Sequence, residues 1–322
     1  MITIDEIYDA RQRITPYITR TPLVPNLTLS EQLGAQIFLK LELFQKTGSF
    51  KPRGAFNQIL TLMVQGSKPR VVAVSGGNFA QGVAYASRIL GVEALICMPA
   101  YTPANYIQAT QSYGARVDLS PTMQETFEKA YQYEGEGWHF LHPFEDPYQM
   151  AGCGTIGLEL LEDLPDMTDL FVSIGGGGLL AGNIVAIKSL KPSVRIWGVE
   201  TEGSDTMGQA LQAGKVVTIT PKSLAKTLGA PYVAEDALRL AQNHLHRYIM
   251  VKDREAFEEE VFLLERAKIN TELAASCNLA AARQARGTFS PNDQVVLLIC
   301  GGNNSLENLV EYRSIFSQPG EN

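Results

Sequence analysis

Cysteine is scarce and scattered. Cys97, Cys153, Cys277 and Cys300 stand far apart, and no two of them form a Cys-x-x-Cys pair. That spacing argues against a disulfide framework and against a thiolate zinc site. His139 and His142 form a His-x-x-His in which two imidazoles could meet on a helix. Pro143 follows at once and no thiolate lies near, so packing or a polar turn is the expectation there, and no metal is assigned. Basic charge is short as well. Lys and Arg number 27 against 34 Asp and Glu, a net charge of −7 with no basic block. A surface that tracks nucleic-acid phosphates needs clustered cations, so nucleic acid is excluded as a partner. Long hydrophobic runs are missing too: Gly, Pro or charge interrupts each apolar stretch before a membrane-spanning length. The opening Met-Ile-Thr-Ile-Asp-Glu carries acid where a signal peptide would carry base. The expectation is a cytoplasmic protein.

What is present is an ordinary globular composition, 45% hydrophobic and 19% charged, in 322 residues. That length suits two domains or one large α/β domain. Short β-branched runs alternate with amphipathic stretches. Strands are read at 70–74, 94–98 and 115–119, with helices at 80–90 and 103–113 between them. This β-α-β-α-β rhythm predicts a parallel sheet covered by helices. A second series has a helix at 157–164, a strand at 170–174, a helix at 179–190 and a strand at 194–199. Helices at 254–267 and 272–285 and a buried strand at 294–299 complete it, before a short polar tail at 317–322. Two such layers imply a cleft between them, where α/β folds bind ligands.

Four segments carry chemistry. Ile174-Gly175-Gly176-Gly177-Gly178-Leu179 joins a buried strand to a helix, so backbone N–H groups and the helix dipole can hold an anion. The same segment fits a dinucleotide fingerprint, Gly176-x-Gly178-x-x-Ala181, with Glu200 placed as the ribose-binding acid. A nicotinamide-dependent oxidoreductase is therefore a rival reading. Ser75-Gly76-Gly77-Asn78 is a small-residue loop at a helix start, suited to a carboxylate, although Ser75 or Asn78 could be a plain helix cap. Cys300 ends a buried strand, on the edge where such sheets carry ligands. Lys51 follows Phe50 and precedes Pro52, in a turn-rich segment after the apolar run 36–44. A lysine that forms a Schiff base must be held still and partly desolvated, although an ordinary surface cation also fits this segment alone. Together the four suggest one anionic cofactor bound between two layers.

The run Phe44-Gln45-Lys46-Thr47-Gly48-Ser49-Phe50-Lys51-Pro52-Arg53-Gly54-Ala55 closely resembles the cofactor-lysine segment of the threonine and serine dehydratases and of serine racemase. These are pyridoxal-phosphate enzymes of fold type II, the tryptophan-synthase-β type. The resemblance continues through Ser75–Gly82, His142–Pro147, Gly152–Gly157, the four glycines and the Cys300 strand. It implies two open parallel-sheet α/β domains with pyridoxal 5'-phosphate in the cleft between them. The large domain would comprise residues 1–52 and 148–322, and a small mobile one residues 53–147. By the same resemblance Lys51 carries the cofactor, Phe50 packs on it, Asn78 bonds its 3′-oxygen, Gly175 to Leu179 hold its phosphate, and Cys300 faces its ring nitrogen. Ser75, Gly76, Asn78 and Phe79 would surround the substrate carboxylate, with Glu272 near the leaving group.

The reaction so implied is β-elimination from L-threonine or L-serine, giving a 2-oxo acid and ammonia, in a homodimer or homotetramer. Gly76 stands where racemases of the group place a second-face serine, so racemisation is not expected. Phe79 replaces a usual histidine, Ala225-Lys226-Thr227 replaces Ala-Asp-Gly, and Ser276 follows the Glu272 loop. These departures lie on the substrate side and leave another β-hydroxy amino acid, such as a hydroxyaspartate, as an alternative substrate. Relatives place a divalent ion on the equivalent of Glu200 and on an acid six residues later. Thr206 stands there in this chain, with Asp205 one short, so no metal ligand is assigned with Glu200 as the sole candidate. No region resembling the C-terminal regulatory domain of biosynthetic threonine dehydratases is read. A non-catalytic protein that keeps the cofactor fold is a further alternative.

Overall fold

Alternating β-branched and amphipathic segments fold into two sheets in the computed structural model, which describes residues 1–64 and 68–317. The chain begins with α1 (Ile4–Ile14), β1 (Leu23–Pro25), α2 (Leu27–Leu33) and β2 (Gln36–Leu41). Two short 3₁₀ turns, Glu42–Phe44 and Lys46–Gly48, then lead into α3 (Lys51–Val64). Next come β3 (Arg70–Val74), α4 (Asn78–Leu90), β4 (Glu93–Pro99), α5 (Ala104–Ser112), β5 (Arg116–Ser120), α6 (Met123–Gly135) and β6 (His139–Leu141). The second series is α7 (Pro147–Asp163), β7 (Asp169–Ser173), α8 (Gly178–Leu190), β8 (Arg195–Thr201), α9 (Thr206–Ala213), α10 (Glu235–His244) and β9 (Leu245–Val251). It ends with α11 (Asp253–Phe262), α12 (Leu273–Gln284), β10 (Gln294–Ile299) and α13 (Leu306–Ser317). Of the polar tail read at 317–322, only Ser317 is among the described residues.

The larger sheet has six strands in the order β1-β2-β10-β7-β8-β9, and the smaller has four in the order β5-β4-β3-β6. Every pairing is parallel except β1 with β2, where Leu23 lies opposite Lys40. The expected all-parallel layers therefore gain an antiparallel edge. Pro25, which cannot donate to a ladder, sits on that edge strand. The inner strands β7 and β10 are buried almost throughout, as continuous apolar runs in a helix-covered sheet must be. Among the described residues, no helix is long and apolar enough to cross a membrane.

The helix expected at 157–164 is in fact α7, ten residues longer at its start. Gly152 and Gly154 mask its first turns, because glycine reads as a helix breaker. The reason for these and for Gly157 is close packing: a Cβ on Gly152 would lie 2.5 Å from the Arg53 carbonyl oxygen, and one on Gly157 would lie 2.8 Å from Cβ of Ala186. Helix α7 thus presses against α3 on one side and α8 on the other. Helix α3 also packs on α4, so it touches elements of both sheets and carries Lys51 at its first position. The helix read at 254–267 is α11 followed by a π-helical turn, Leu263–Ala267.

Candidate active site

Lys51 is placed by the chain reversal after β2. Ser49 bridges to Gly301, and the Phe50 N–H donates to the Cys300 carbonyl at 3.0 Å, which ties the segment to the end of β10. Helix α3 then starts at Lys51. Its Nζ donates to the Pro143 carbonyl at 2.9 Å and lies 5.0 Å from the Phe50 ring centre and 5.5 Å from that of Phe79. The residue is half-buried, and desolvation draws its pKa below the ordinary lysine value against the pull of Cys153, Cys300 and Glu272. A helix N-terminus adds positive potential of the same sense. A held amine that loses its proton easily is what a nucleophile or base requires.

Two residues further on, Arg53 is fully buried and holds that helix start. Its guanidinium bonds Glu42 at 2.8 Å through both Nε and one terminal nitrogen, Glu159 at 2.7 and 2.9 Å, and Thr155 Oγ1 at 3.0 Å. Lys40, also buried, donates to Glu159 at 2.6 Å and to the Thr21 carbonyl at 2.8 Å. Two cations and two carboxylates balance, and Arg53 carries the bidentate geometry a buried site rewards. Sequence reading missed this network. Its one trace was Lys40 and Glu42 interrupting the apolar run 36–44.

The glycine loop Gly175–Gly178 runs from β7 to α8. Gly177 has φ +90°, and a Cβ on Gly176 would lie 2.1 Å from the Phe144 ring, so neither position admits a side chain. Among the described residues, the backbone N–H groups of Gly175 through Leu179 find no acceptor. Unpaired amides gathered at a helix N-terminus form a ready anion site. Phe144 follows Pro143, which takes the Lys51 proton donor, so this segment links lysine to loop. His142 orders it: Nδ1 accepts from the N–H groups of Phe144 at 3.3 Å and Glu145 at 2.8 Å, while Nε2 faces the Tyr232 hydroxyl at 3.1 Å. Burial and then Lys51 push this imidazole down to about 4, so it stays neutral. His139 lies exposed on β6, a strand, so the two imidazoles do not share a helix.

Ser75 and Gly76 follow β3, and Asn78 and Phe79 open α4. The Ser75 hydroxyl accepts from the Gly77 N–H at 3.2 Å. The N–H groups of Asn78 and Phe79 have no acceptor among the described residues. Across the cleft, Glu272 is buried at the start of α12. Its Oε1 accepts from Asn78 Nδ2 at 2.9 Å and from the Thr227 hydroxyl at 3.0 Å, and its Oε2 has no partner among the described residues. Burial raises its pKa to about 7, against the lowering bonds of Thr227 and Asn78. Cys300 lies just past β10 with Sγ 3.4 Å from the Ser173 hydroxyl, and burial raises the thiol to about 12, which keeps it neutral.

Glu272 yields a pH prediction. The folded protein holds its proton up to about 7 while the unfolded chain releases it near 4.5, so stability falls as pH rises through that window. Glu272→Gln cannot ionise. Its denaturation midpoint, measured against that of the wild type, is expected to climb across the window and level off above it. A difference that stays flat there means that Glu272 ionises normally.

Other expected positions lie outside this cluster. Glu200 uses both carboxylate oxygens to accept the N–H groups of Met207 and Gly208 at 2.9 Å each, at the start of α9. The acid of the dinucleotide reading is therefore committed to capping a helix. Thr206 donates to the Ala230 carbonyl at 2.9 Å. Among the described residues, no group of three or more His, Cys, Asp and Glu is arranged to hold a metal ion. The Ser276 hydroxyl donates to the Ala256 carbonyl at 2.7 Å, between α11 and α12, and does not face the substrate side. Lys226 is exposed, with Nζ on the Ser223 carbonyl at 3.1 Å.

A half-buried lysine with a depressed pKa, a loop of unpaired amides and a neutral thiol lie between two α/β layers, an arrangement suited to an anionic cofactor. Comparison with known proteins gives the class. The family profile described as pyridoxal-phosphate dependent enzyme matches residues 14–301, so this chain belongs to that family. It is 40% identical over 306 residues to an L-threonine ammonia-lyase of Thermotoga maritima, covering 94% of this chain and 76% of that protein. It is 36% identical to the catabolic L-threonine dehydratase of Escherichia coli K12, covering 94% and 93%. Maize serine racemase superposes with a TM-score of 0.90 at 31% identity, covering 98% and 97%.

Proposed function

We propose that this protein is a cytoplasmic pyridoxal-phosphate-dependent ammonia-lyase that converts L-threonine and L-serine to the 2-oxo acid and ammonia by β-elimination. One observation carries the reading: the desolvated Lys51 amine lies on the segment that also packs the unpaired amides of Gly175–Leu179. These residues fit the cofactor. The cradle suits its phosphate, Phe50 supplies an apolar face, Asn78 a donor for its ring oxygen and Cys300 an uncharged neighbour for its ring nitrogen. When bound, pyridoxal phosphate supplies the electron-withdrawing ring that makes a substrate α-proton removable.

The protein's own residues supply the rest. Lys51 Nζ would take the substrate α-proton. The Ser75–Phe79 turn, with two free amides at the start of α4, holds the substrate carboxylate. Glu272, whose second oxygen is unpartnered, can keep a proton near neutral pH beside the departing hydroxyl. Phe79 and Phe50 exclude water from the amine. Gly76 carries no hydroxyl, and a Cβ there would crowd Thr102 Oγ1 at 2.8 Å, so this position offers no second-face acid or base and elimination is favoured over racemisation.

Charge bears on the substrate class. Glu272 stands against both Asn78 and Thr227, while the exposed Lys226 rests on the Ser223 carbonyl. A second substrate carboxylate would meet the Glu272 carboxyl, which disfavours hydroxyaspartate. The cofactor-holding part would comprise 1–52 and 148–322, with 53–147 closing on it, and the assembly would be a homodimer or homotetramer. The test is the absorbance of the purified protein with and without L-threonine, followed by 2-oxo acid assays across β-hydroxy amino acids. A yellow chromophore trapped on the Lys51 peptide by borohydride, with turnover of threonine or serine, is expected. Turnover of hydroxyaspartate alone would sink the substrate assignment.

A further inference from the structure

The Asn78 side chain has one orientation, and a residue beyond β10 dictates it. The Thr47 carbonyl can only accept a hydrogen bond. Asn303 Nδ2 lies 2.7 Å from it, so the amide nitrogen of Asn303 faces Thr47. The same nitrogen lies 2.8 Å from Asn78 Oδ1, which must then be oxygen. Asn78 is left to turn its nitrogen the other way, where it donates to Glu272 Oε1 at 2.9 Å. Glu272 takes one of its two N–H groups, and the other has no partner among the described residues.

Independent features are shaped around this chain of amides. Thr47 has φ +70°, a conformation that β-branched residues avoid and that persists only when its surroundings enforce it. A Cβ on Gly48 would lie 2.5 Å from Asn303 Oδ1, and one on Gly301 would lie 2.5 Å from Glu272 Oε1. A strained threonine and two glycines thus make room for Asn303, Asn78 and Glu272 to meet.

We propose that Asn303 is a positioning residue: it locks Asn78 so that the free N–H, and not the amide oxygen, is presented to the cofactor's anionic ring oxygen. This rests on the role given to Asn78 above. An aspartate at 303 would reverse the demand. Its carboxylate would accept from Asn78 Nδ2 and repel the Thr47 carbonyl, and Asn78 would turn its oxygen toward another anion.

The experiment compares Asn303→Asp with Tyr106→Phe in the full chain. The Tyr106 hydroxyl donates to the Asn303 backbone carbonyl at 2.6 Å, so its loss loosens the same segment without touching the amide. Asn303→Asp is expected to bind pyridoxal phosphate roughly tenfold more weakly, the scale of one charge-assisted hydrogen bond. The pH at which the bound cofactor's absorbance changes is expected to move with it, while Tyr106→Phe keeps both properties. Wild-type affinity and pH profile in Asn303→Asp would overturn the proposal, as would equal weakening in both variants. If Asn303→Asp does not fold, Asn303→Ser removes the amide nitrogen and is read by the same outcomes. A wild-type protein that forms no chromophore on Lys51 would refute the underlying function instead, a result distinct from a variant that binds normally.

Discussion

Lys51→Ala is expected to abolish 2-oxo acid formation and to leave the protein folded. The amine makes one hydrogen bond, to the Pro143 carbonyl, and takes no part in the Arg53 network. Its removal therefore costs the fold about 1 kcal/mol, the usual worth of such a bond. Catalysis is expected to lose much more, because the proposed function makes Lys51 both the covalent anchor and the base. Loss of a positioned base alone lowers rates roughly 10²–10⁴-fold. Lys51→Arg is expected to be equally dead, since a guanidinium does not become neutral in a protein. The cradle at Gly175–Leu179 and the Asn78 donor remain, so the variant still takes up pyridoxal phosphate without the borohydride-trapped link. Steady-state rates, a circular-dichroism melt and a cofactor titration read the three properties separately. A variant that keeps the wild-type rate would remove Lys51 from the chemistry.

The parts of the site that were legible in the sequence are those whose chemistry is written locally. Lys51 between Phe50 and Pro52, the four glycines between strand and helix, and Cys300 at a strand end could each be singled out from their flanking residues, although an ordinary surface cation fitted the Lys51 segment taken alone. Strands with β-branched runs were legible too: 70–74 and 294–299 fall where the alternation placed them. Long-range partnerships were not. Glu42, Arg53 and Glu159 are an ordinary scatter of charges along the chain, and only the fold places a guanidinium between two carboxylates. Asn303 was invisible for the same reason, since its significance depends on the Thr47 carbonyl on the other side of a strand pairing.

Some residues misled because one pattern has two physical causes. Gly152 and Gly154 read as helix breakers and lie in a helix packed too closely for side chains. Glu200 stands where a ribose-binding acid belongs and instead caps α9. The position that distinguishes the two readings is the pair of amides at Met207 and Gly208, and nothing in the sequence near Glu200 announces them. The substrate side was legible only as departures from the family pattern. The structure shows that Thr227 enters the cleft on Glu272, while Lys226 and Ser276 are turned elsewhere.

The largest expected loss of stability follows Arg53→Ala. Glu42 and Glu159 would keep their burial and lose their main counter-charge, leaving Lys40 to serve Glu159 alone. Burial pushes the Glu159 pKa upward, and Arg53 with Lys40 more than offsets it to hold the carboxylate below its ordinary value. Removing one partner of a buried ion pair costs about 3–5 kcal/mol, because an uncompensated charge is left in a poor solvent. That is a large share of the roughly 5–15 kcal/mol that separates a native domain from its unfolded chain. The variant is expected to unfold at much lower urea, with an unchanged slope. Arg53→Lys should recover only part, since an ammonium cannot make the parallel bonds to both carboxylates. Adding Glu42→Gln to Arg53→Ala should restore stability by removing the stranded charge, and the double-mutant cycle measures that coupling. Additive losses in the cycle would show that Arg53 acts through packing alone. Because Arg53 sits two residues from Lys51 in the first turn of α3, the surviving folded fraction should also bind cofactor less tightly. That second effect separates a network that only stabilises the protein from one that also sets where the reactive amine stands.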